Sequence, residues 1–146
     1  MNLAQSNSQT ASNLNIEGIS EPVVKRYFET INAGNFEATA NLFAPEGALH
    51  PPFESPVVGY DAIATYLQTE AEGMLLFPAR GIAETLDDDN IRIEIEGKVR
   101  APLFSVNVAW QFIVNPCGEI LHVQVKLLAS VQELLKIKPD RLQQDL

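Results

Sequence analysis

Three stretches in the second half of the chain alternate apolar and polar residues with a period of two. They read IRIEIEGKVRA, SVNVAWQFIVN and EILHVQVKL, and they begin at residues 91, 105 and 119. Because successive side chains of a β-strand point to opposite faces, each stretch predicts a strand with one apolar and one polar face. Consecutive strands of this kind predict an antiparallel sheet that keeps one face in water.

The first half of the chain predicts helices. Ser20 followed by Glu21 and Pro22 is typical of a helix start, and Gly34 is typical of a helix end. Residues 44–47 predict a turn, and the prolines that follow predict an irregular extended stretch. The predicted elements are, in order, helices at 21–33, 36–43 and 60–73, a strand at 79–86, the three strands above and a short helix at 131–137.

This order of elements predicts an α+β domain with the helices on one side of the sheet. A strongly twisted sheet curls into a cone around its inner face, and such a cone is a natural pocket for a small molecule. The length of 146 residues fits one domain. We expect a disordered polar arm at residues 1–17, a domain at 18–137 and a polar tail at 138–146.

The charge and the cysteine content argue against several functions. A formal net charge of −9 disfavours nucleic acid and anionic membrane surfaces as partners. A single cysteine excludes an internal disulfide framework and a cysteine-based metal centre, and we expect no metal site. The N-terminal residues lack the features of a secretion signal, and no stretch approaches the length of a membrane span. These features predict a cytoplasmic protein.

Trp110, the one tryptophan of the chain, lies on the apolar face of the strand that begins at residue 105. Valines and Phe112 share that face by period-two counting. A buried tryptophan is most often a core residue, but an apolar wall offers no acceptor for its indole N–H. Since an unpaired buried donor is costly, we expect either the backbone or a ligand to accept a hydrogen bond from Trp110.

The sequence resembles the C-terminal domain of the cyanobacterial orange carotenoid protein, and more closely the free-standing homologues of that domain. The resemblance runs from residue 18 to about residue 137 and is carried by VKRYFETINAGNFEATANLFAPEGALHPPF, PVVG, GKVRAP, VNVAWQFIVNP and LLASVQELL. It implies a nuclear-transport-factor-2-like cone, with a curved antiparallel sheet wrapped around the N-terminal helices and a short C-terminal helix.

The resemblance also implies a ligand, a ketocarotenoid of the canthaxanthin or echinenone type. Members of the family donate hydrogen bonds to its keto oxygen from a Tyr on the first helix and a Trp on a long strand, and these positions match Tyr27 and Trp110. Two donors on one carbonyl are effective in a dry pocket, because each bond is stronger at low dielectric. The other matched positions of the ligand tunnel are Phe43, Val58, Met74, Leu76, Val99, Phe112 and Val125.

A carrier of this family implies several partners. The resemblance predicts a protein that stores carotenoid, exchanges it with helical N-terminal-domain-like proteins and quenches singlet oxygen in photoprotection. A homodimer is expected, because the pigment is too long for one cone, and transient contact with carotenoid-containing membranes is a further expectation. The family has a second tryptophan where this chain has Leu103, and an identical docking mode with light switching is therefore not implied.

Two polar positions outside the tunnel stand out. Cys117 lies in a predicted hairpin turn between Pro116 and Gly118, where it is either an incidental free thiol or the site of a disulfide between two copies. Glu70 matches a partner-facing position of the family, and its alternative is a solvated acid on a helix.

Two other classes of function remain open at this point. The same cone hosts isomerases, dehydratases and hydrolases, which need an acid or a base inside it. His50 is a candidate for an inward imidazole, although a structural histidine is the simpler interpretation, whereas His122 falls on the polar face. The second class is a pigment-free docking module.

Overall fold

The computed structural model describes residues 14–128. The three helices of this part are α1 (Pro22–Asn32), α2 (Phe36–Ala40) and α3 (Tyr60–Glu70). The six strands are β1 (Phe43–His50), β2 (Val57–Val58), β3 (Leu75–Thr85), β4 (Ile91–Arg100), β5 (Ser105–Val114) and β6 (Ile120–Leu128). They form one sheet in the order β2-β1-β6-β5-β4-β3, which confirms the predicted α+β cone.

The expectation of a fully antiparallel sheet is wrong: the sheet is mixed, because β1 and β6 run parallel while all other neighbours are antiparallel. The expected turn at residues 44–47 is wrong, since these residues belong to β1. A register shift between Phe43 and Ala48 accommodates Pro45 and Gly47 within the strand. Gly47 is required there, because a Cβ would lie 2.8 Å from the carbonyl oxygen of Ile120. A partner distant in sequence thus makes a strand from residues that locally favour a turn.

A second irregularity bends β3 over the helices. The pairing of β3 with β4 shifts register between Pro78 and Arg80, as in a β-bulge, and bulges increase the local bend and twist of a strand. Gly97 lies opposite Pro78, and a Cβ at that position would collide with the carbonyl oxygen of Phe77. The close approach of the two backbones at this point therefore requires glycine at position 97.

Helix α1 fills the concave side of the sheet. Val24, Tyr27, Phe28 and Ile31 are buried at a spacing of three or four residues, which places them on one face of the helix. The Phe28 ring packs edge-on against Trp110 of β5, with 4.8 Å between ring centroids. The helix therefore closes the core of the cone and brings Tyr27 to the same interior as Trp110.

The packed domain begins before the expected boundary at residue 18. Ile16 is buried in the core, and the Glu17 amide donates to the Ala79 carbonyl at the outer edge of β3. Farther along that edge, Asn32 both donates to and accepts from the Leu76 backbone, at 2.9 and 2.7 Å. Residues 14–17 are thus part of the fold, while the remainder of the predicted arm, the helix at 131–137 and the tail at 138–146 lie outside the described residues.

The predicted alternation of β4, β5 and β6 is correct apart from the start of β6. A register shift there turns Ile120 inward, whereas strict alternation with Val123 would place Leu121 on that face. His50 faces outward, because Leu49 next to it is buried. The inward imidazole, which the sequence left open as an alternative to a structural histidine, is therefore wrong, since the parallel pairing with β6 sets the face of β1.

Candidate ligand-binding cavity

A cavity of about 250 Å³ lies between the concave face of the sheet and helices α1 and α3. Its wall is overwhelmingly apolar and includes valines of β4, β5 and β6. Seven of the residues singled out in the sequence line it: Tyr27, Glu70, Met74, Leu76, Val99, Trp110 and Val125. The cone thus offers a space in which an apolar molecule loses contact with water.

Tyr27 and Trp110 are the two deeply buried hydrogen-bond donors of the wall. Their side chains are 2% and 1% exposed, and they come from opposite sides of the cavity, α1 and β5. Within residues 14–128, neither the Tyr27 hydroxyl nor the Trp110 indole N–H makes a hydrogen bond to another residue. A ligand oxygen inside the cavity would accept a hydrogen bond from each of them.

Three phenylalanine rings pack against these two donors on the side away from the cavity. Phe112 meets Tyr27 edge to face with centroids 5.1 Å apart, and Phe43 lies 6.4 Å from the same ring. Phe28 packs against both Tyr27 and Trp110. Phe43 and Phe112 were expected in the tunnel wall, but the structure places them in the core directly outside it. Their packing restricts the rings whose polar atoms border the cavity.

The environment of Tyr27 keeps its phenol neutral. Burial raises the pKa of Tyr27 far above its ordinary value, and the neighbouring Tyr66 adds to the rise. The pKa of Tyr66 is also raised, first by its partial burial and then by the negative charges of Glu54 and Glu70. Both phenols therefore act as hydrogen-bond donors and not as bases near neutral pH.

The mouth of the cavity is apolar and open to water. Phe104 and Leu127 line it and are 54% and 48% exposed, and Leu103 beside them is 93% exposed. Glu70, at the end of α3, is an exposed acid on this rim. An occupant that extends beyond the cavity would therefore pass between apolar side chains.

Two other predicted positions lie away from the cavity. Val58 is 58% exposed on the short strand β2 and does not line the cavity wall. Cys117 is an exposed free thiol in the turn between β5 and β6. Within residues 14–128, no cluster of three or more potential metal ligands is present.

Sequence reasoning missed part of the wall. The residues concerned are Ile31, Leu49, Pro51, Pro52, Tyr66, Leu67, Ala71, Phe104 and Leu127. Ile31 carried a usable signal, because it follows Tyr27 by one helical turn and shares its face. Leu49 carried none, since its strand was not predicted and its inward direction depends on pairing with β6.

The geometry agrees with comparisons to known proteins. Residues 24–112 match the family model of the SnoaL-like domain, and the chain belongs to this family. Over 126 residues it is 38% identical to the orange carotenoid-binding protein of Synechocystis sp., an alignment that covers 84% of this chain. The homology to the C-terminal domain of the orange carotenoid protein is thereby confirmed.

Solved structures give the same result. The orange carotenoid protein of Anabaena (Nostoc) sp. PCC 7120 binding canthaxanthin matches 85% of this chain with a TM-score of 0.78 and 41% identity. This chain spans only 41% of that protein and 40% of the Synechocystis protein. Nuclear transport factor 2 from Cryptosporidium parvum matches 80% of this chain and 100% of its own with a TM-score of 0.65, and at 17% identity it shows the fold alone. None of the helices in residues 14–128 is long and apolar enough to cross a bilayer.

Proposed function

We propose that the cavity binds the keto-substituted ring of a ketocarotenoid, of the canthaxanthin or echinenone type, and that the protein is a carrier for this pigment. The observation that carries the proposal is the pair of buried donors, Tyr27 and Trp110, on an otherwise apolar wall. The apolar wall would hold the ring and the start of the polyene, while the two donors would fix the keto oxygen. A relative that is bound to canthaxanthin supports the choice of ligand.

The open mouth supports a dimeric carrier. A folded chain of this length has a radius of gyration of about 15 Å, which is too short to cover a full-length carotenoid. The polyene would emerge between Phe104 and Leu127, and a second copy placed mouth to mouth would remove it from water. The same exit would allow transfer to helical N-terminal-domain-like proteins or contact with carotenoid-containing membranes. Glu70 on the rim is the proposed contact for such a partner.

A bound polyene would also quench singlet oxygen, which gives the carrier a photoprotective role. The exposed Cys117 would add a disulfide between two copies under oxidising conditions. A non-reducing gel of oxidised protein should then show a dimer band that Cys117→Ser abolishes. An unchanged monomer band would remove this part of the proposal without affecting the ligand.

The enzyme alternative has weaker support. An isomerase or hydrolase would need a group inside the cavity that exchanges protons near neutral pH. Among the described residues of the wall, the ionisable groups are Tyr27, Tyr66 and Glu70. The raised pKa values of both tyrosines and the exposure of Glu70 favour binding over proton transfer. A pigment-free docking module would leave the two buried donors without a purpose.

The proposal is tested by purification from a host that makes canthaxanthin. We expect a broad, red-shifted carotenoid band that co-elutes with protein at the size of a dimer, at one pigment for two chains. Protein that stays colourless, in a host whose membranes contain the pigment, would contradict the proposal. A ratio of one pigment for each chain would contradict the shared ligand and leave the binding site intact.

A further inference from the structure

The outer face of the sheet carries a feature that the cavity does not use. His50 on β1 and His122 on β6 contact each other through their imidazole rings, with centroids 4.1 Å apart and an angle of 62° between the ring planes. They are the two histidines of the chain. Both side chains are half-buried, and both lie on the face of the sheet opposite to the cavity. Ligand binding inside the cone therefore gives no reason for the pair.

The backbone holds the two rings together. In the parallel pairing of β1 with β6, Ala48 lies opposite His122 and His50 lies opposite Gln124. The histidines therefore occupy diagonal positions on adjacent strands, and the sheet fixes the distance between their Cα atoms. Ile113 of β5 is the partner of His122 on its other side. The positions directly beside the pair are thus uncharged.

Two imidazole rings that lie this close together are able to bind one metal ion jointly, as a chelate. A metal ion binds neutral imidazole at about 2.0–2.1 Å, so two nitrogens on one ion lie about 3 Å apart. The 4.1 Å between the ring centroids is compatible with this separation. Partial burial and the charge of His50 lower the pKa of His122, which favours the neutral, metal-binding form of that ring.

We propose that His50 and His122 form a two-imidazole site for a divalent transition metal on the outer face of the sheet, with Cu²⁺ bound most tightly. Imidazole suits Cu²⁺, Ni²⁺ and Zn²⁺, and the general order of affinities puts Cu²⁺ first. Among residues 14–128 no third His, Cys, Asp or Glu joins the pair, so the remaining coordination positions belong to water or an external ligand. The negative net charge of the chain favours a cation.

The probe is chosen to exclude other copper ligands. Iminodiacetate occupies three positions of Cu²⁺ and leaves adjacent positions for two imidazoles, which excludes the multidentate binding of a peptide N-terminus. All variants are made in a Cys117→Ser background to remove the thiol. Titration calorimetry and urea unfolding are measured with the Cu²⁺–iminodiacetate complex on the full chain, for the background, His50→Gln and His122→Gln. Gln124→Ala is the matched control on the same face.

We expect the complex to bind the background protein at least tenfold more tightly than either single-histidine variant. It should raise the urea midpoint of the background and of Gln124→Ala, because the chelate exists only when β1 and β6 are paired. Equal affinity of the background and a single-histidine variant would overturn the proposal. Electron paramagnetic resonance of the Cu²⁺-loaded background gives a test that does not depend on the folding of any variant. Coupling to two imidazole nitrogens is expected, and coupling to one or none would overturn the site.

Discussion

Adjacent residues of β5 meet opposite environments on the two faces of the same strand. Phe112 is completely buried and packs edge-on against Tyr27, whereas Gln111 points to the outer face and donates to Glu94 at 3.0 Å. The inner face combines the core with a cavity, and the outer face carries exposed ion pairs and the histidine pair. Stability and the proposed ligand binding therefore depend on every second residue of a strand.

The inner face is itself divided between two roles. Trp110 and Phe112 are both buried and two residues apart, yet Trp110 borders the cavity and Phe112 lies behind it. The difference follows from the position of Tyr27, whose ring separates Phe112 from the cavity. Burial alone thus does not identify a ligand contact.

The largest change in the free energy of unfolding should come from a substitution in the core. Phe112→Ala should lower the free energy of unfolding by about 3–5 kcal/mol, because it leaves a cavity among tightly packed aromatic rings. Gln111→Ala, one residue away on the outer face, should change it by no more than about 0.5 kcal/mol. Urea unfolding followed by tryptophan fluorescence measures both. Similar values for the two variants would contradict the division of the strand into two faces.

The sequence predicted β4, β5 and β6 well because their alternation is a local property. It did not predict β1, since Pro45 and Gly47 locally favour a turn and the hydrogen-bonding partner, β6, lies about 75 residues further along the chain. The outward face of His50 follows from the pairing of β1 with β6, and the inward face of Ile120 follows from the register shift between β5 and β6. Neither is a local property of the sequence.

The sequence predicted the two hydrogen-bond donors of the candidate site better than it predicted the apolar residues of the cavity wall. Tyr27 and Trp110 followed from the resemblance and from the need of an indole N–H for an acceptor. The sequence could not show that Val58 lies outside the cavity wall, because nothing local indicates that β2 is short and exposed. The rim residues Phe104 and Leu127 required the curvature of the sheet, which long-range pairing sets.

A smaller loss in the free energy of unfolding should appear at alkaline pH, and it comes from Tyr27 on the inner side of the cone. Because the pKa of Tyr27 is raised in the folded state, the unfolded chain loses this proton first. The resulting stabilisation is complete below the unfolded value near 10 and is lost above it, by up to about 1.4 kcal/mol for each pH unit. Tyr27→Phe should reduce this slope in urea unfolding between pH 9 and pH 11.5, and the share that comes from the raised pKa of Tyr66 should remain.

Tyr60→Phe is the control for that measurement, since Tyr60 is 40% exposed and lies outside the cavity wall. It should keep the alkaline loss of the parent protein. An identical pH profile for the parent and Tyr27→Phe would show that the Tyr27 phenol is not held neutral by burial.

The smallest effect should come from the ion pairs of the outer face. Arg92 and Glu84 approach to 2.7 Å between β4 and β3, but both side chains are accessible to water, and exposed pairs are screened by salt. Arg92→Gln should lower the urea midpoint slightly at low salt and leave it unchanged at high salt. Lys98→Gln is the matched control on the same face, because Lys98 has no ion pair within residues 14–128. A salt-independent loss as large as that of Phe112→Ala would contradict the account of this face.

The most direct measurement compares pigment retention between hosts that make canthaxanthin and hosts that make β-carotene, which has the same polyene and no keto group. The parent protein and Tyr60→Phe should retain canthaxanthin with a red-shifted band and retain little β-carotene. Tyr27→Phe and Trp110→Phe should each weaken retention and shift the band to the blue, and the double variant should lose most of the pigment. Equal retention of both carotenoids, with spectra that neither substitution changes, would contradict the assignment of Tyr27 and Trp110 as keto anchors.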